Sequence, residues 1–115
     1  MHGPKLQPLR IPEGWEVEIN QLYALDPTKD EVERPVGCFS GSCLLKLSLK
    51  SKGAQRKALY GLDVDWHPEG EWDTGGYRVV AYIGDDWWDQ VCEFKTKERR
   101  AAVEKIEALL HQLHT

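Results

Sequence analysis

Apolar and polar residues alternate along five stretches of the chain, and apolar residues recur at helical spacing along a sixth. Residues 15–23, WEVEINQLY, set Trp15, Val17 and Ile19 against Glu16, Glu18 and Asn20. Period two with one apolar side predicts a half-buried strand. Residues 43–51, CLLKLSLKS, put Cys43, Leu45, Leu47 and Leu49 on a core side, with Leu44 breaking the alternation. Residues 56–66, RKALYGLDVDW, do the same with Ala58, Tyr60, Leu62, Val64 and Trp66. A turn at 52–55 then pairs Leu49 with Ala58, Leu47 with Tyr60, Leu45 with Leu62 and Cys43 with Val64, apolar against apolar throughout. It sets Lys46 diagonally across from Asp63 on the other side.

Two further strands are expected at 77–83, YRVVAYI, and 86–95, DWWDQVCEFK, joined by a type II′ turn at Gly84-Asp85. That turn sets Ala81 opposite Trp88 and Tyr77 opposite Cys92 on the core side, and Tyr82 opposite Trp87 and Val80 opposite Asp89 on the other. Residues 67–76, HPEGEWDTGG, read as a long hairpin loop. Residues 97–114 read as a helix capped by Thr96, with Ala102, Ile106, Leu109, Leu110 and Leu113 forming one apolar stripe. Residues 26–36, DPTKDEVERPV, are a polar loop with room for one helical turn, and residues 37–42, GCFSGS, a short connection. The predicted fold is α+β: an antiparallel β-meander of about five strands with one C-terminal α-helix on one face. Residues 1–14, with Pro4, Pro8 and Pro12, form an extended arm outside the sheet, and residues 15–115 a single domain.

Charge changes this picture in one place. The net charge is −4, yet residues 61–94 hold nine carboxylates against the lone cation Arg78, a local charge of −8. Four of the five tryptophans lie there too: Trp66, Trp72, Trp87 and Trp88. A basic block, Lys46, Lys50, Lys52, Arg56 and Lys57, directly precedes it. A sequence pI near 5.5 argues against nucleic acid as a partner, since phosphates demand a basic footprint. No run nears the roughly 20 apolar residues of a membrane span, and MHGPKLQPLRIPEG lacks the core of a secretory signal. A cytoplasmic protein without membrane contact is therefore expected, and three cysteines, an odd number, do not suggest a disulfide framework.

No catalytic signature is present. The carboxylates Asp63, Asp65, Glu69, Glu71 and Asp73 lack the spacing of a calcium loop. Cys38 and Cys43 have no second pair at zinc-like spacing, and Cys38 has no placed base to make it a nucleophile. The GCFSGS stretch precedes a strand, not a helix, so it is neither a phosphate loop nor a nucleophile elbow. No enzyme, cofactor or metal is expected.

What remains is an acidic surface with aromatic anchors. Trp87 and Trp88, adjacent on a strand, would point to opposite faces, so only one enters the core. The expected binding residues are Asp63, Asp65, Trp72, Tyr82, Trp87 and Asp89, and the expected partner is a basic protein. An inhibitor or immunity-type module is one form such a protein takes. The competing readings are a sugar or heterocycle stacked on Trp72 and Trp87, and a second small core closed by the arm or the 26–36 loop.

Overall fold

The computed structural model describes residues 4–53 and 55–113. Ala54, in the expected 52–55 turn, and His114, at the expected helix end, lie outside them. Five strands form one antiparallel sheet in the order β1-β2-β3-β4-β5: Trp15–Asn20, Leu45–Lys50, Ala58–His67, Gly76–Ile83 and Gln90–Thr96. Two helices complete the described residues, the short α1 (Lys29–Glu33) and α2 (Arg99–Gln112), which follows the last strand. The α+β meander expected from the alternation is the fold observed.

One sheet face carries the core. Leu45, Leu47, Leu49, Leu62, Val64, Trp66, Tyr77, Val79 and Ala81 are buried there with Ala102, Ile106, Leu109 and Leu110 of α2. Helix α2 covers β4 and β5. The rest of the cover comes from the long β1–β2 connection, through Leu22, Val32, Phe39 and Leu44, and from Leu9 and Ile11 of the arm. Phe39 meets Trp66 edge-on, with ring centroids 5.6 Å apart at 71°. The arm is pinned by Gln7 N donating to Leu22 O and Ala24 N donating to Lys5 O, at 2.8 and 2.7 Å. At the other end, Trp15 Nε1 donates to Leu110 O at 3.0 Å and ties β1 to α2.

Register differs from expectation at three points, and a helix cap and one cysteine are placed differently as well. The β2–β3 hairpin pairs Leu45 with Val64, Leu47 with Leu62 and Leu49 with Tyr60, two residues from the predicted pairing, with an irregularity after Leu49. An even shift keeps every side chain on its face, so the core is unchanged, and Lys46 stands directly opposite Asp63. In β1 a bulge between Val17 and Ile19 sends Ile19 to the side of Lys46, away from the core. The last hairpin shifts by four: Ala81 pairs with Cys92 and Tyr77 with Thr96, because the turn spans 84–89, not two residues. Helix α2 begins at Arg99 with Glu98 as N-cap, so Thr96 is not its cap; its Oγ1 accepts from Glu98 N at 3.1 Å. Cys43 also departs from its expected core place. It is partly buried outside the core cluster, within electrostatic reach of Asp63 and Asp65, while Cys38 and Cys92 pack against the cluster.

Candidate functional site

The second sheet face has no helix on it, yet its centre is dry. Val80 and Tyr82 of β4 are buried, Tyr82 at 2% exposure. Tyr82 pairs across the ladder with Gly61, and a Cβ on Gly61 would sit 2.1 Å from the Tyr82 ring. A glycine in a strand interior here permits close approach of an aromatic ring. The Tyr82 hydroxyl donates to Asp63 Oδ1 at 2.8 Å. Burial pushes the Asp63 carboxyl above its ordinary range, against the opposing effects of this hydrogen bond and of Lys46. Burial and the Asp63 bond raise the Tyr82 phenol, so it stays a donor.

One pair of residues further along, Arg78 grips Asp65 with both arms of its fork. Nε donates to Oδ1 at 3.0 Å and Nη2 to Oδ2 at 2.6 Å. Such bidentate charged pairs are geometrically rigid as well as strong. The Arg78 guanidinium carbon also lies 5.2 Å from the Trp87 ring centroid, a cation–π contact that holds the indole to this face. Trp88 meets Trp87 edge-on, with centroids 5.0 Å apart at 87°.

The two tryptophans come from the 84–89 turn, and hydrogen bonds define its shape. Ile83 N donates to Asp89 O at 2.9 Å, and Gly84 N to Leu59 O at 2.8 Å. Asp86 N donates to Ile83 O at 3.2 Å and Asp89 N to Asp86 O at 3.0 Å. Asp86 Oδ1 accepts from Trp88 N at 3.1 Å, and Gly84 supplies a positive φ of 64°. Trp88 thus projects 84% exposed, flanked by exposed Asp85, Asp86 and Asp89 and near half-exposed Ile83 and Val91.

Of the six expected binding residues, four gather on this face and Asp89 lies in the turn beside it, Val80 pairing with Glu93 in place of Asp89. Asp63, Asp65 and Tyr82 form its hydrogen-bonded floor, Trp87 lies against the floor, and Asp89 closes the turn. Trp72 does not join them. It stacks on Trp66, centroids 6.0 Å apart at 5°, on the core side of the sheet. Lys97 Nζ sits 4.6 Å from its centroid, and Trp66 Nε1 donates to Glu71 O at 2.8 Å, so Trp72 and its loop are a lid on the core. The expectation that Trp87 and Trp88 point to opposite faces also fails, because they lie in a turn and pack on each other. Trp88, the most exposed tryptophan of the described residues, was not among the expected site residues. The only sequence signal for it is Gly84 followed by two aspartates, which allows a turn longer than two residues.

Neither Cys38 nor Cys43 is an activated nucleophile. Burial, then Glu31, raises Cys38, and burial, then Asp63, raises Cys43. Among the described residues there is no group of three or more His, Cys, Asp or Glu placed to hold a metal ion. Among them, too, no helix is long and apolar enough to cross a membrane. Family models, curated proteins and solved structures yield no match to this chain.

Proposed function

We propose that the protein is a non-enzymatic binding module that docks a basic protein surface on the 84–89 turn, with Trp88 as the anchor. The observation that carries this reading is Trp88 itself, 84% exposed at the tip of a hydrogen-bonded turn among three exposed carboxylates. A large aromatic held in place brings contact area at small entropic cost. Asp65 and Asp63 are engaged by Arg78 and Tyr82, whereas the exposed Asp85, Asp86 and Asp89 stand beside Trp88 where they can meet a cation. Trp87 and the floor beneath it hold the anchor in position. An inhibitory or immunity-type role is the form this module takes if its partner is an enzyme. The stacked-ligand alternative has less support, since Trp72 and Trp87 lie on opposite sides of the sheet and form no shared platform.

The test is affinity capture on the immobilised protein, followed by binding kinetics of the captured partner at two salt concentrations. Asp85→Asn with Asp86→Asn should slow association and flatten its salt dependence, since exposed charges act on encounter. Trp88→Ala should speed dissociation at a cost of about 2 kcal/mol or more, roughly thirtyfold in Kd. A partner that binds indifferently to salt and to Trp88 removes the proposal.

A further inference from the structure

Successive connections of an antiparallel meander fall at opposite ends of the sheet, so the β2–β3 connection and the 84–89 turn close the same end. Helix α2 returns to that end with its C-terminus. There Trp15, Leu49, Leu110 and Leu113 floor a cleft of about 490 Å³, with Lys50 and Lys52 on its rim. The floor is fixed by the bond from Trp15 Nε1 to Leu110 O. Arg56 lines the cleft but is taken up by Glu16 at 2.7 Å, and Glu13 is the one carboxylate among the described lining residues. One end of the molecule therefore carries two unlike patches. The first is an exposed tryptophan among aspartates, and the second a cleft with apolar residues at its floor and a mostly basic and polar rim.

We infer that the basic partner of the 84–89 turn is a second copy of this chain: Trp88 of each copy enters the cleft of the other, with Asp85 and Asp86 against Lys50 and Lys52. The inference rests on the reading of the turn as a docking surface, and it names the occupant. Charge complementarity selects it, because the aspartates of the 84–89 turn and the lysines on the cleft rim are opposite in sign and share one end of the fold. Symmetry supports it as well. A twofold axis lying across that end, midway between the patches, sets each onto its complement. Both contacts are then satisfied at once, so the assembly closes as a dimer and does not grow into a filament.

Sedimentation of the full chain over a wide concentration range, at low and high salt, tests this. The wild type should pass from monomer to dimer with rising concentration, more weakly at high salt. Trp88→Ala removes the anchor from both copies and should weaken the dimer by roughly thirtyfold or more. Two double variants make the test specific. Asp85→Lys with Asp86→Lys gives a chain whose turn and cleft are both basic, and Lys50→Glu with Lys52→Glu one in which both are acidic. Neither should self-associate, and an equimolar mixture should form a heterodimer. All these positions are exposed or on a rim, and circular dichroism checks that each variant is folded. A wild type that stays monomeric throughout, a dimer insensitive to Trp88, or a mixture that does not associate overturns the inference. If the wild type is monomeric and still captures a basic protein through Trp88 in a salt-dependent way, the self-association falls and the binding-module reading stands. If nothing binds through Trp88, both fall.

Discussion

Gly61 and Tyr82 show how one position constrains another across a ladder. The ring fills the space a side chain at 61 would need, so Gly61→Ala forces the ring or the strand to move. Overpacking of this kind costs about 1–3 kcal/mol, to be read from the urea midpoint; an unchanged midpoint means that the ring does not rest there. Asp63 makes a second expectation, in pH. Its folded-state carboxyl is raised, so the folded chain holds that proton more tightly than the unfolded chain. Its contribution to stability is fully present below the ordinary aspartate range and is lost as pH rises through the raised value. The stability difference between wild type and Asp63→Asn should therefore tilt against the wild type from mildly acidic to neutral pH. Urea titrations at several pH values measure it, and a flat difference rejects the assignment. Neither feature was legible beforehand. Alternation put Asp63 and Tyr82 on the non-core side, but period two does not say that a polar face will be buried. The two neighbouring tryptophans were misread for a related reason: an aromatic pair carries the same strand propensity whether it sits in the strand or in the turn before it.

Elements were easier to read than their joints. Each predicted strand and the long helix overlap an observed one, and most core positions are those expected, with Ile19, Cys43 and Trp88 the exceptions. Period two fixes which face a side chain takes, and shifts of two and four residues leave that untouched. Hairpin register depends on loop length, which composition states weakly. The bulge in β1 breaks parity and so moves Ile19 to the wrong side. It also gives that edge a kink, one of the devices that keep a free edge from pairing with another chain. Helix α2 lies where the 3.6-residue stripe placed it, and Leu110 is buried near its C-terminus. Leu110→Ala should cost about 2–5 kcal/mol in denaturant unfolding, the range for large-to-small core changes. A loss under half a kilocalorie per mole, a small fraction of that range, would mean the helix does not seal the sheet.

The whole molecule is a sheet with one dry face turned to the core and one half-dry face bearing the 84–89 turn, 46 × 32 × 22 Å along its axes. Each strand pairs with its neighbour in sequence, and the helix that covers β4 and β5 comes after all of them. That order has a consequence for biosynthesis. As the nascent chain leaves the ribosome, hairpins can zip in sequence, each needing only what has already emerged. The helix cannot take part until all five strands have emerged, so the half-made sheet holds Val79, Ala81 and its leucines open to solvent throughout translation of β4 and β5. In that interval the chain is a client for whatever chaperone binds bare apolar strands. A chain stopped after Glu98 makes the interval permanent, and it should partition into the insoluble fraction on expression. Recovery of that shortened chain as a soluble species with cooperative unfolding would show that the sheet shields itself without α2.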